Sequence, residues 1–202
     1  MIEVTREGGL WRVVLNRPDK ANSLTKAMLE KTAGVAEAAA GVAKAFVITG
    51  DGRVFSAGMD LDEAKLGLAT DPVWERLSGA VAALPCLTVA ALNGTLAGGA
   101  FGMALACDLR VCVPEARFFY PVMKLGFLPQ PSDPGRLAAL VGPARAKLIL
   151  MGGAKLSAEE ALRFGLVDAV VAQSELERFV ASLCTDALAA EAEHVAAIKA
   201  MI

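Results

Sequence analysis

Two glycine-bearing loops offer backbone N–H groups in places where they are free to act on a ligand. In the first, an apolar run at residues 87–92 ends at Asn93-Gly94, and after a short connector Gly98-Gly99 opens an apolar segment of good helix formers. The pattern is strand, turn, helix. The first N–H groups of a helix have no acceptor inside it, and the macrodipole makes that end partly positive, so the junction suits an oxyanion or a phosphate. Glycine there lets a ligand approach the backbone closely. The same residues equally suit a buried strand-helix unit whose glycines only permit tight packing. The second loop, Val54-Phe55-Ser56-Ala57-Gly58-Met59-Asp60-Leu61-Asp62-Glu63, follows the apolar run 45–49 and the turn Gly50-Asp51-Gly52. Two such strand ends in a parallel sheet lie on one edge. An oxyanion hole requires two N–H donors from separate places, about 2.7–3.1 Å from the developing charge, and these two loops are candidates to supply them.

The segment Phe55-Ser56-Ala57-Gly58-Met59-Asp60-Leu61, the spacing from Asn93-Gly94 to Gly98-Gly99, and Cys107-Asp108-Leu109-Arg110 after it resemble the crotonase (enoyl-CoA hydratase/isomerase) family. The likeness continues through Leu15-Asn16-Arg17-Pro18, Asn22-Ser23-Leu24, Pro121, Gly126, Leu156-Ser157-Ala158 with Ala161, and Gly165-Leu166-Val167-Asp168, so it spans nearly the whole chain. The resemblance implies a fold of repeated ββα units in a spiral and a coenzyme A thioester as substrate or ligand, with no separate cofactor and no metal. It assigns the two oxyanion-hole amides to Met59 and Gly99. It also implies that the loop carrying Lys20, Ala21 and Leu24 covers the adenine and pantetheine end of CoA. Ala57, Asp60 and Leu61 are implied to border the substrate, with Asp60 holding the loop. Without the resemblance, residues 18–24 read as an ordinary polar loop.

Hydrating an enoyl thioester takes a base to activate water and an acid to protonate the α-carbon, and two carboxylates do this economically. The family's hydratases carry one glutamate three residues after the oxyanion glycine and another after the proline of a Gln-Pro-Glu-like turn. Here those positions hold Gly102 and Val122, neither of which can transfer a proton. Isomerases of the family keep the second glutamate, so Val122 also removes the simple isomerase reading. Asp133 is the candidate substitute acid or base, although its place before Pro134 reads first as a helix N-cap. Tyr120 reads as packing, its phenol being a poor base at neutral pH. Lys124 and Arg136 are candidate partners for a phosphate or carboxylate and equally read as solvated surface.

The elements that must hold these residues are legible in part. Residues 2–6 and 10–15 read as a hairpin across Glu7-Gly8-Gly9, residues 25–40 as an amphipathic helix capped by Thr25, and residues 44–49 as a strand. Asp71-Pro72 opens a helix that Pro85 stops. Residues 87–92 and 108–113 are apolar strands flanking the Gly98-Gly99 helix, the pattern of a buried parallel unit. Ser132-Asp133-Pro134 starts a helix. Ser157-Ala158-Glu159-Glu160 is a capping box whose helix ends at Gly165, followed by a strand at 166–171 and helix from 174 to the end. The class is therefore α/β, and the resemblance implies a crotonase-like spiral, here with a shortened C-terminal helical region. Residues 1–172 form the spiral core and 173–202 the truncated segment, since family members usually carry further helices here.

The 202 residues carry a net charge of −2, which argues against general nucleic-acid binding. The 55% hydrophobic content comes with only 5% aromatics, so it reflects alanine-rich packing. Residues 77–107 are broken by Pro85, Thr88, Asn93 and glycines into pieces too short to cross a membrane. With a single histidine, His194, and four cysteines without a Cys-x-x-Cys pair, a zinc site and a Ser-His-Asp triad are not expected. Reduced buried thiols and the absence of a signal-peptide pattern give the expectation of a cytoplasmic chain. The expected partner is acyl-CoA, with no nucleic acid and no membrane, in a homotrimer or a dimer of trimers. The leading reading is a protein that binds acyl-CoA and does not perform ordinary hydration. One alternative is an active hydratase or isomerase using relocated acids, and another is an interaction subunit with a vestigial pocket.

Overall fold

The computed structural model describes residues 1–202. Strands β1 (Ile2–Glu7) and β2 (Leu10–Leu15) form the expected hairpin, antiparallel from Ile2 opposite Leu15 to Glu7 opposite Leu10. Helix α1 (Lys26–Ala39) starts where Thr25 Oγ1 accepts from the Met28 N–H at 3.2 Å, and it buries Met28, Leu29, Ala33 and Ala36 along one face.

Three ββα units then follow. In the first, β3 (Ala45–Gly50) and β4 (Val54–Ser56) lead to the short helix α2 (Leu61–Ala64) and to α3 (Val73–Ala82). In the second, β5 (Leu87–Leu92) and β6 (Thr95–Ala97) lead through a 3₁₀ turn, Gly98–Ala100, into α4 (Phe101–Leu105). The third runs from β7 (Leu109–Cys112) and β8 (Arg117–Phe119) into α5 (Val122–Leu125) and α6 (Asp133–Val141). The chain closes with α7 (Pro143–Leu150), β9 (Leu156–Ser157), α8 (Ala158–Phe164), β10 (Ala169–Val170), α9 (Leu176–Ala189) and α10 (Ala192–Lys199).

The first strand of each unit joins one sheet and the second strand joins another. The larger sheet runs β1-β2-β3-β5-β7-β10, parallel from β2 onward, and the smaller runs β4-β6-β8-β9, parallel through β8. Parallel pairing puts the C-terminal ends of β4, β6 and β8 on one edge, which is where both glycine loops emerge. Helix α4 is buried along its whole length, so the glycine loop before it starts from the interior of the molecule.

Some boundaries differ from expectation. Residues 95–97, read as a connector, are a strand, because they pair with β4 and β8. The last strand shortens to Ala169–Val170, although Asp168 and Val171 still donate to Arg110 and Cys112 carbonyls. The terminal helix is broken at Ala190, whose backbone is extended. The capping box is present as expected, with Ser157 Oγ accepting from Glu160 N and Glu160 Oε2 accepting from Ser157 N.

Candidate functional site

The first loop is shaped by a backbone bridge. Leu24 N–H donates to Gly58 O at 2.7 Å and Leu24 O accepts from Asp60 N at 2.9 Å, so Met59 is paired with Leu24 in parallel fashion. In that geometry the N–H and C=O of the central residue point to the opposite side. The Met59 N–H accordingly has no acceptor in the protein, and Met59 lines a cavity of about 130 Å³.

The second loop meets the first directly. Gly58 has φ +91°, and a Cβ there would stand 2.8 Å from Ala97 O and 3.3 Å from Gly98 Cα. Gly98 has φ +56°. Both conformations are ones that glycine adopts without strain, and together they let the strand ends of β4 and β6 touch. Gly99 follows as the second residue of the 3₁₀ turn, among the donors that a helix start leaves without an internal acceptor. It lines the same cavity as Met59. Its Cα lies against Trp74, since a Cβ would stand 3.0 Å from Cζ3 of that ring.

Polar clamps hold the two loops. Asn93 Oδ1 accepts from Gly50 N at 2.9 Å while its Nδ2 donates to Gly52 O at 2.9 Å. Asn22 Nδ2 donates to Asp51 O and Val54 O, and Ser56 Oγ links Asn22 O to Gly58 N. Arg17 Nη1 donates to Asp60 Oδ2 at 2.6 Å, and Asp60 Oδ1 caps α2 through Asp62 N and Glu63 N. The hydrogen bond from Arg17 holds the Asp60 carboxyl below its usual range. Asp60 is thus a fixed anion that positions the loop.

The reacting end is apolar apart from one pair. Val122 lines the cavity, and no carboxylate does. Gly102 lies behind it. The space a Gly102 side chain would enter is taken by Asp133, whose Oδ1 would stand 3.0 Å from a Cβ at that position. Asp133 is fully buried and does not cap α6, because Ser132 holds the N-cap position and no side chain makes the cap bond. This corrects the N-cap reading. Tyr120 Oη donates to Asp133 Oδ2 at 2.8 Å, Gln130 N donates to Tyr120 Oη at 3.3 Å, and the Tyr120 ring stacks on Phe101 at 5.3 Å. Burial pushes the Asp133 carboxyl up to about 6, against the lowering effect of the Tyr120 hydrogen bond.

Residues 5–202 match the family model described as enoyl-CoA hydratase/isomerase. The chain belongs to that family. It is 33% identical over 184 residues to a protein named probable enoyl-CoA hydratase in Mycobacterium bovis, covering 91% of this chain and 76% of the relative. It is 36% identical over 217 residues to the carnitinyl-CoA dehydratase of Salmonella enteritidis, covering 98% of this chain and 78% of that one. Among solved structures, a Thermobifida fusca protein provisionally named an enoyl-CoA hydratase, in complex with acetoacetyl-CoA, superposes with a TM-score of 0.89 at 28% identity, covering 98% of this chain and 84% of that one. The fold is the crotonase fold.

Within this crotonase frame the expected residues separate into two groups. Ala57, Met59, Leu61 and Gly99 line the cavity together. Lys20, Ala21 and Leu24 do not. Lys20 is exposed at the end of a 3₁₀ turn, Ala21 accepts from Ala57 N through its carbonyl, and the Leu24 side chain is buried in the core. Lys124 is exposed, whereas Arg136 is half-buried with its Nη1 lacking a partner. Sequence reasoning missed Trp74, which forms the wall behind Gly99, and Gln130, which bonds Tyr120 and Ala69. Neither carries a local signal, because Trp74 reaches Gly99 from the first unit and Gln130 comes from the third. All four cysteines are buried, and burial raises the Cys86, Cys107 and Cys112 thiols to about 11, 12 and 12, so none is an activated nucleophile. No helix is long and apolar enough to cross a membrane.

Proposed function

We propose that this crotonase-family chain binds an acyl-CoA thioester with its carbonyl oxygen between the Met59 and Gly99 amides, and that it does not hydrate enoyl-CoA at rates ordinary for a hydratase. The observation that carries the reading is the contact of Gly58 with Ala97 and Gly98, which sets the unpartnered Met59 N–H beside the start of the Gly99 turn on one cavity. Two such donors stabilise an enolate oxygen and leave the chemistry at carbon to other groups. Mostly apolar walls from Trp74, Val122 and Leu128 suit a hydrocarbon acyl group. A cavity near 130 Å³ compares with the roughly 150 Å³ that accommodates benzene, so the acyl part enclosed is about four to six carbons long. The CoA moiety then extends past the loop at Lys20 and Ala21.

Calorimetric titration with butyryl-CoA, octanoyl-CoA and free CoA tests this reading. Saturable heat is expected with butyryl-CoA and weaker binding with the longer chain. No heat with any thioester would overturn it in favour of an interaction subunit with a vestigial pocket. Crotonyl-CoA turnover on the order of ten per second, typical of an enzyme, would overturn the non-hydratase part alone.

A further inference from the structure

We propose that Tyr120 and Asp133 are positioning residues for the acyl group: their hydrogen bond clasps together the two ends of the segment 121–132, which forms one wall of the cavity. The inference rests on the acyl-CoA reading above. Pro121, Val122, Leu125, Phe127, Leu128 and Gln130 supply that wall, and residues 123–128 are all exposed. The backbone hydrogen bonds of residues 121–131 stay between positions 120 and 133, as with Leu125 N to Pro121 O, Phe127 N to Val122 O and Asp133 N to Gln130 O. No strand ladder ties this wall to either sheet. A surface segment with self-contained hydrogen bonds and few buried contacts lies at the low end of local stability, so side chains must hold it in place.

The clasp joins the two ends directly. Tyr120 Oη donates to Asp133 Oδ2 at 2.8 Å and accepts from Gln130 N at 3.3 Å, so one phenol holds both the far end of the wall and the turn before it. Phe101 of α4 fixes the ring by stacking at 5.3 Å. Tyr120 is 4% exposed and Asp133 0%, so water does not compete for the bond. Above about pH 6 the carboxyl is ionised, and a hydrogen bond to a carboxylate is stronger than a neutral one. The outer ties run from Gln130 Nε2 to Ala69 O at 3.3 Å and from Ser132 N and Oγ to Glu75 at 3.1 and 2.6 Å. They fix the far end alone, and neither reaches the start of the wall after β8. Asp133 Oδ1 has no partner and lies where a Gly102 side chain would stand. A buried carboxyl oxygen left unpaired is destabilising, so packing alone favours an apolar residue here. An apolar residue cannot make the bond to Tyr120.

The consequence falls on the acyl group. With the two ends clasped, Val122, Leu125, Phe127 and Leu128 are in place before a ligand arrives, and an acyl chain meets a wall it does not have to order. Released, the wall loses that pre-organisation and the ordering cost is subtracted from binding. The CoA moiety, which in the reading above extends past the loop at Lys20 and Ala21, does not depend on the wall.

The test is calorimetric titration of the wild type, Tyr120→Phe, Asp133→Leu, Asp133→Asn and the double variant Tyr120→Phe/Asp133→Leu with butyryl-CoA and with free CoA, above about pH 6, after thermal melts show each protein folded. Tyr120→Phe keeps the ring stack and removes only the hydroxyl, so it carries the test if Asp133→Leu does not fold. Tyr120→Phe and Asp133→Leu are each expected to lower butyryl-CoA affinity about tenfold, the effect of losing one hydrogen bond to a charged group, with free-CoA affinity unchanged. The double variant is expected to bind no more weakly than the weaker single one, because both remove the same bond. Asp133→Asn, whose amide oxygen still accepts from Tyr120, is expected to retain the wild-type affinity. Unchanged butyryl-CoA affinity in Tyr120→Phe would overturn the clasp and leave the binding reading standing. So would an equal fall for butyryl-CoA and free CoA, or an Asp133→Asn as impaired as Asp133→Leu, since either marks a general structural role. A wild-type chain that binds no thioester overturns the reading beneath, and the clasp with it.

Discussion

Asp133 illustrates how a single residue can work against the stability of its own fold. Its carboxyl is raised to about 6 by burial, so between the unfolded value near 4 and about 6 the folded chain binds more protons than the unfolded one. Stability then falls as pH rises through that window and stays low above it. Asp133→Asn, which still accepts from Tyr120, is therefore expected to melt higher than the wild type at pH 8, by on the order of 2 kcal/mol, with the difference vanishing near pH 4. Thermal melts of both proteins across pH check this, and a constant difference at every pH would contradict it. The same crowding governs any attempt to restore a glutamate. In Gly102→Glu the new Cβ would stand 3.0 Å from Asp133 Oδ1, and two carboxylates in one buried space cannot both ionise. That variant is expected to lose stability without gaining hydration of crotonyl-CoA, as measured by loss of enoyl absorbance. At Gly99 the oxyanion assignment can be tested with acetoacetyl-CoA. Gly99→Pro deletes one donor and is expected to weaken binding of the enolate form by roughly 3 kcal/mol. Unchanged enolate absorbance on titration would remove Gly99 from the site.

Among the elements, both glycine loops were legible because each is a complete local pattern, an apolar run, a turn and a helix start that follow one another in the chain, at residues 45–61 and 87–101. The resemblance then named Met59 and Gly99, and the structure brings them onto one cavity. The repeat was not legible, since the second strand of each unit is three residues long and too short for an alternation to register. The cap reading of Asp133 fails for a different reason: its carboxyl sits in the space left by the missing side chain at Gly102, far away in sequence. Asn22 was equally silent, because a buried asparagine shows its function only through partners such as Asp51 O and Val54 O. The joint between the loops is where an element-scale change should tell most. Gly58→Ala would place a methyl 2.8 Å from Ala97 O at φ +91°, and such strain costs about 1–3 kcal/mol. The expected result is a lower melting temperature together with weaker butyryl-CoA binding, because the two donors are pushed apart. A variant destabilised but binding normally would show that the donors do not depend on this contact.

At the scale of the whole molecule, the segments that wall the cavity leave several large apolar side chains in water. Leu61, Leu66, Met123, Leu125, Phe127 and Leu128 are all exposed, Leu66 at 85% and Leu128 at 87%, and four of the six also line the cavity. A monomer rarely leaves a group of large apolar side chains in water without a binding role. Ligand can cover the inner four, since an acyl chain enters between them, but Leu66 and Met123 lie outside the cavity lining. Association of copies would bury them, and the resemblance implies a homotrimer or a dimer of trimers. Light scattering at micromolar concentration is therefore expected to give the mass of three or six chains. If assembly completes the site, butyryl-CoA affinity should fall when the protein is diluted below the dissociation constant of the assembly, and Leu66→Lys should lower both the mass and the affinity. A monomer at micromolar concentration with full affinity would show that the site is complete in one chain and that the exposed leucines belong to the ligand's path alone.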